Sequence, residues 1–123
     1  MAISGIGIDL IEVARIKKTF ERFGERFKDR IFTKEEQNFC EAHKNKYLSY
    51  AARFAAKEAF SKALGTGLLG KISWREVIIV DNERSQPKII LSGKAKQFLN
   101  NRKTYLSLTH TNNYASAIVI IEE

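Results

Sequence analysis

The chain has 123 residues, 44% of them hydrophobic, with 21 lysines and arginines against 14 acidic residues and a net charge of +7. Such a composition gives one domain enough apolar material for a small core and argues against disorder, while the excess of cations asks for an anionic partner: nucleic acid, a phosphorylated small molecule or an acidic protein. The single cysteine, Cys40, excludes an intramolecular disulfide and a cysteine-based metal cluster. The longest uncharged stretch, Thr104 to Ile121, is cut by polar residues and a histidine, so neither a membrane span nor a signal peptide is expected and the expected location is cytoplasmic.

In chain order, Ile3 to Leu10 alternates isoleucine with glycine and serine, the pattern of a strand whose small face lets another backbone approach closely, and it is expected to end at Asp9. Asp9-Leu10-Ile11-Glu12 has the form of a capping box, which predicts a helix from about Ile11 to Phe23. From there Arg15, Lys18, Arg22 and Arg26 recur at helical spacing, while Val13, Ile16, Phe20, Phe23 and Phe27 form a second stripe. One face packs and the other is basic, balanced only by Glu21 and Glu25. It reads either as an ordinary solvated face or as a docking surface for an acidic helix. Thr33-Lys34-Glu35-Glu36 is a second capping box and opens a second helix. A long third helix should start near Tyr47 to Tyr50 and stop where Gly65 or Gly67 supplies a left-handed residue. Trp74 to Val80 reads as a strand, Asp81 to Pro87 as a polar turn, and Lys88 to Leu91 as the returning strand. Ser92 can cap a short helix through Leu99. Strands Tyr105 to Thr109 and Ala115 to Ile121 follow, joined through His110. The expected fold is α+β: a mostly antiparallel sheet with a long central helix, in a single domain.

Chemistry concentrates on the third helix. Arg53, Lys57, Ser61, Phe54, Gly65, Glu58 and Lys62 fall across one half of the cylinder, and Ala55, Ala59, Ala63, Ala56 and Phe60 fill the other. The alanines suit close packing. The first half brings a carboxylate, a hydroxyl and three cations within about three turns, an arrangement suited to an anionic ligand held with the help of a metal ion. Glu58 and Lys62 are also a favourable i,i+4 pair on any exposed helix, and taken alone that plainer explanation is preferred. Asp9 is a second candidate carboxylate, and two carboxylates with phosphate oxygens and waters make the usual magnesium shell. His110, at a strand end, is open to a structural role, a general base or a phosphate contact. Gly65-Thr66-Gly67-Leu68-Leu69-Gly70-Lys71 has P-loop spacing, but Ile72 stands where Ser or Thr is required, and the glycines follow a helix rather than precede one. They are better read as a helix stop.

Three blocks together carry a resemblance: Gly5-Ile6-Gly7-Ile8-Asp9-Leu10-Ile11-Glu12; the run from Arg53 to Ala63 containing Lys57-Glu58-Ala59-Phe60-Ser61-Lys62; and Ser107-Leu108-Thr109-His110-Thr111. The chain resembles the holo-acyl-carrier-protein synthases, the short class of 4′-phosphopantetheinyl transferases, over nearly its whole length. That resemblance implies magnesium-dependent transfer of the 4′-phosphopantetheine arm of coenzyme A to a serine of apo acyl carrier protein, in the service of fatty acid biosynthesis. It implies magnesium ligands at Asp9 and Glu58 and a phosphate contact at Lys62, these three forming the catalytic set, with Glu58 a candidate base for the serine proton. Arg53, Ser61, Gly65, His110 and Thr111 would be further coenzyme contacts, and Arg15, Arg22 and Arg26 would dock the acidic carrier protein. Relatives of this length are homotrimers with active sites between subunits, so the same is expected here. Two departures stand out: Ser85 replaces the glycine usual two residues before Pro87, and the segment Lys17 to Lys28 differs in length from some relatives. A nucleic-acid-binding module would instead interleave aromatic residues and cations on its sheet, but no basic residue follows Lys103. A purely structural interaction protein would tolerate alanine at Glu58 and Lys62.

Overall fold

Alternating isoleucine and glycine do form an opening strand, β1 (Ile3–Glu12), but it runs three residues past the expected end. The structure, a computed structural model, describes residues 2–65 and 72–123. Leu10, Ile11 and Glu12 stay in the ladder, opposite Ser116, Ala115 and Tyr114. Asp9 is therefore a strand residue paired with Ala117, and the capping box read at Asp9 does not form. A continuous ladder satisfies each backbone group and buries Ile11, which one side-chain cap does not match. Glu12 is the residue before helix α1 (Val13–Ile31) and makes no side-chain cap, while the Val13 amide donates to the Asn113 carbonyl at 2.9 Å.

Helix α1 is longer than expected and broken at Gly24, whose φ of 61° and ψ of −142° lie outside the helical region. Glycine adopts that geometry without a Cβ clash, and the chain resumes its helix at an altered angle. Two corrections to the stripes follow. Phe23, expected to pack, is 55% exposed just before the break. Arg26 lies beyond it, so helical spacing no longer carries it onto the line of Arg15, Lys18 and Arg22.

Helix α2 (Lys34–Glu41) begins with the predicted capping box: the Glu36 amide donates to Thr33 Oγ1 at 3.2 Å and the Thr33 amide donates to Glu36 Oε1 at 2.9 Å. Helix α3 (Lys46–Leu64) starts one residue before the expected window, capped by Asn45, and ends at Gly65 with φ 85°, the left-handed stop. Gly67 and the rest of the P-loop-like run, residues 66–71, lie outside the described residues. After a short 3-10 turn (Trp74–Glu76), where a strand was expected to begin, come β2 (Val77–Asp81) and β3 (Pro87–Leu91). The Ser73 capping box with Glu76 diverts the first three residues of that segment. Helix α4 (Gly93–Leu99) begins after Ser92, whose side chain makes no cap; the Lys94 amide donates instead to Glu76 Oε2 at 2.7 Å. β4 (Lys103–His110) and β5 (Tyr114–Glu122) complete the chain.

All described strands are antiparallel, in a three-stranded sheet of order β1-β5-β4 and a separate β2-β3 hairpin. Helix α3 lies across one face of the larger sheet and is buried almost all round. Glycine makes this approach possible: a Cβ on Gly5 would strike the Ala63 carbonyl oxygen, and one on Gly7 would strike that of Ala59 and come within 2.8 Å of the Ala63 amide nitrogen. The opposite face of the sheet is bare, with Ile6, Ile8 and Leu10 on β1, Ile118 on β5 and Tyr105 on β4 all exposed. Among the described residues no helix is long and apolar enough to cross a membrane.

Candidate active site

The half of α3 expected to be wet divides into two environments. Lys57 is fully buried: its Nζ donates to Glu36 Oε1 at 2.8 Å, the Trp74 carbonyl at 3.0 Å and the Val77 carbonyl at 2.6 Å. Glu36 Oε2 in turn accepts from the Ile79 amide at 2.9 Å. All three ammonium donors are satisfied, so the cation is tolerable inside, although burial still drives its pKa below the usual lysine value. Ser61 is buried too, its hydroxyl donating to the Glu58 carbonyl at 2.9 Å. Neither faces a ligand cleft, which corrects the picture of three cations and a hydroxyl converging in water. Sequence periodicity placed them on the correct side of the helix, but the α2–β2 junction covers that side.

Glu58 and Lys62 remain, and β1 brings Asp9 to them. Because Gly5 and Gly7 let α3 sit against the strand, Asp9 projects from the same inward face and meets the second half of the helix. Lys62 Nζ donates to Asp9 Oδ1 at 3.2 Å and to the Ile8 carbonyl at 2.9 Å. Asp9 and Glu58 line one cleft of about 350 Å³ together with Arg15, Phe27 and Phe54. Burial first, and then the neighbouring Asp9 charge, raise the Glu58 carboxyl above the ordinary glutamate range, with Lys62 opposing them. Two carboxylates that repel each other beside a groove are the hard-oxygen pair a divalent cation relieves, so this donor set fits magnesium, which usually keeps waters and substrate phosphates as its other ligands. Among the described residues no group of three acidic, histidine or cysteine side chains gathers.

The other expected coenzyme contacts lie elsewhere. Arg53 and His110 line a second, larger groove of about 820 Å³, between the start of α3, the β2–β3 hairpin and β4. It shares no lining residue with the Asp9 cleft. Arg53 is nearly buried, its guanidinium 3.8 Å from the centre of the Phe39 ring and its Nη2 4.0 Å from Asp81 Oδ1. Its Nε is buried with no hydrogen-bond partner among the described residues. Pro87 and Ser85 line the same groove, and Ser85 takes φ 58°, the left-handed conformation for which glycine is the usual residue. His110 is exposed at the end of β4, and Thr111 begins the turn, its Oγ1 accepting from the Asn113 and Tyr114 amides. Gly65, the helix stop, is exposed beyond Lys62.

Sequence reasoning did not single out Glu36, although its capping-box position was read correctly; the signal was present as a carboxylate able to serve a cap and an ion pair at once. Phe39, which carries the Arg53 guanidinium, had no signal. Arg15 and Arg22 are exposed on the first part of α1, with Arg15 at the Asp9 cleft itself.

Comparison with known proteins bears on this arrangement. Residues 5–119 match the family model of the 4′-phosphopantetheinyl transferase superfamily. A holo-[acyl-carrier-protein] synthase of Koribacter versatilis is 43% identical over 124 aligned positions, covering 98% of this chain and 99% of that protein. The crystal structure of the Helicobacter pylori holo-[acyl-carrier-protein] synthase in complex with coenzyme A superimposes with a TM-score of 0.86 at 33% identity, covering 95% of this chain and 99% of the other. The Neisseria meningitidis synthase does so with a TM-score of 0.92 at 32% identity, over 99% of this chain and all of that one.

Proposed function

Since this chain belongs to the 4′-phosphopantetheinyl transferase superfamily, we propose how its two clefts divide the work of the holo-acyl-carrier-protein synthase reaction. In that reaction the 4′-phosphopantetheine group of coenzyme A passes to a serine of apo acyl carrier protein. The serine oxygen forms a bond to the phosphorus bearing the pantetheine arm, the bond from that phosphorus to the bridging oxygen breaks, and adenosine 3′,5′-bisphosphate leaves with that oxygen. Phosphoryl transfer of this kind asks a protein mainly for in-line positioning and charge neutralisation.

The observation that carries the assignment of residues is that Asp9 and Glu58, from two different elements, line one cleft, while Lys62, 53 residues from Asp9 in the chain, donates to the Asp9 carboxylate. Asp9 and Glu58 would hold magnesium, which when bound supplies positive charge against the pyrophosphate and the leaving group. Lys62 brings a mobile ammonium to the phosphate oxygens. Glu58, at the wall of the cleft, takes the serine proton. Arg53, His110 and Thr111 bind the adenosine end, the Arg53 guanidinium supplying positive charge to its phosphates.

Arg53 and His110 line a separate groove of the same chain, and the bare sheet face bearing Ile6, Ile8, Leu10 and Ile118 is a patch suited to a second copy. A homotrimer in which the larger groove of one subunit adjoins the Asp9 cleft of the next accounts for both facts. Arg15 and Arg22 dock the acidic carrier protein, bringing its serine to the cleft that Arg15 lines. On this reading the reaction is cytoplasmic and serves fatty acid biosynthesis.

The test is incubation with coenzyme A, magnesium and apo acyl carrier protein, followed by mass spectrometry. Wild type adds the phosphopantetheine group; Asp9→Asn and Glu58→Gln fall at least about a hundredfold, the scale of removing a group that stabilises transition-state charge; and a chelator stops the reaction. Full activity in Asp9→Asn would refute the assignment.

A further inference from the structure

We propose that Lys62 acts as the resident counter-cation of Asp9, surrendering that carboxylate only when a pyrophosphate draws the ammonium away, so that coenzyme and divalent cation bind to this chain with positive cooperativity. The proposal rests on the reading of Asp9 and Glu58 as metal ligands.

Its basis is a choice that Lys62 makes. Glu58 stands one helical turn earlier, the ordinary i,i+4 partner for a lysine, yet the ammonium reaches across to β1 and donates to Asp9 Oδ1 at 3.2 Å and to the Ile8 carbonyl at 2.9 Å. An anchor of one carboxylate and one carbonyl oxygen holds a cation directly on a proposed metal ligand. Any divalent cation that enters must compete with the ammonium, because Asp9 cannot give the same oxygen fully to both.

The Lys62 side chain is 52% exposed and that of Asp9 16%, whereas Lys57 and Glu36, on and beside the same helix, are both at 0%. A half-solvated pair with a flexible four-carbon stem opens readily, and a buried pair with every donor satisfied does not. Lys62 can therefore be moved by a stronger anion, while Lys57 cannot. The two phosphates of the coenzyme offer such an anion: taking the ammonium, they free Asp9 and add oxygen ligands of their own. Coupling of this sort is reciprocal, so the metal must tighten coenzyme binding by the same factor that the coenzyme tightens metal binding.

Its size is bounded. An ion pair whose cation is half exposed favours its closed form by about fivefold, and the apparent affinity of a ligand needing the open form falls by the same factor. Binding of Mn²⁺ as a magnesium surrogate, followed by electron paramagnetic resonance of the free ion, reads this directly and needs no turnover. Without coenzyme A, Lys62→Met should bind Mn²⁺ about fivefold more tightly than wild type. Adding coenzyme A should tighten wild type by more than it tightens Lys62→Met. Arg15→Met, which removes a cation lining the Asp9 cleft, controls for general charge and should change Mn²⁺ affinity less than about twofold.

An unchanged or weaker affinity in Lys62→Met, or an equal gain in Arg15→Met, overturns the proposal while leaving the metal assignment intact. Wild type that binds no Mn²⁺ with coenzyme A present, or binds it equally well as Asp9→Asn, removes the metal assignment and this inference with it.

Discussion

Lys57 and Lys62 lie on the same helix and differ only in what surrounds them, which makes them a clean pair for separating stability from chemistry. Lys57 joins α2, α3 and β2 through Glu36 and two carbonyls, so Lys57→Met leaves the Glu36 carboxylate buried without its cation. The expected cost is about 3 kcal/mol or more in chemical denaturation. Lys62→Met removes a half-solvated pair and should alter stability by less than about 1 kcal/mol, yet lower kcat/KM at least about a hundredfold. Equal destabilisation by the two substitutions would contradict this division. Cys40 offers a second check on the interior. It is fully buried, accepts a hydrogen bond from Ser49 Oγ at 3.2 Å, and burial pushes its thiol up to about 11. Since only the thiolate reacts, a disulfide reagent at pH 8 should leave Cys40 unlabelled until denaturant is added. Rapid labelling of the folded protein would show that this corner of the core is open.

At the scale of elements, the active-site geometry depends on how closely β1 and α3 approach. Gly7→Ala would press a methyl group into the backbone of α3 at Ala59 and Ala63, neither of which can rotate away. Such overpacking costs about 1–3 kcal/mol and pushes Asp9 away from Glu58 and Lys62. Both a lower Tm and a weaker Mn²⁺ affinity are expected, and a native-like Tm would mean that the helix accommodates the methyl group. Helix α1 has a different task. Its buried side, Ile16 and Phe20, anchors it, and its outer side presents Arg15, Lys18 and Arg22 up to the break at Gly24. Replacing both Arg15 and Arg22 by Glu should raise KM for carrier protein by at least about tenfold, more strongly at low salt, because each exposed pair contributes on the order of 1 kcal/mol and reversal adds repulsion. An unchanged KM removes α1 as the docking surface. Arg26, beyond the break, should matter less than either.

For the whole molecule, the decisive feature is what one chain leaves undone. The sheet has one face closed by α3 and one face of exposed isoleucine, leucine and tyrosine, and the candidate site residues are divided, Asp9 and Glu58 lining one cleft and Arg53 and His110 another with no residue in common. Ile8 is 61% exposed and opposite Ile118, midway along the edge strand β1 on that face. Light scattering should give the mass of a trimer for wild type and of a monomer for Ile8→Asp, because a carboxylate cannot be buried there without a partner. The variant should also lose activity despite keeping Asp9, Glu58 and Lys62. A monomeric, active wild type would mean that a single chain completes the site.

Local signals in the sequence proved reliable wherever a short-range rule governs. The Thr33 capping box, the Gly65 stop, the alternating β1 face and the antiparallel closing strands follow from contacts between residues near one another in the chain or from a simple period. That β1 and the alanine side of α3 would each lie close to other backbone was readable from small residues at a simple period, but that they lie against each other was not. Rules of that kind failed where a distant partner outcompeted the local one: β5 kept Asp9 to Glu12 extended, and the α2–β2 junction drew Lys57 inward. Which of several equivalent-looking cations on α3 is buried, which meets Asp9, and which belongs to another groove depends on elements dozens of residues away. Helical periodicity assigns a side of the cylinder, and only the packed fold assigns what lies against it.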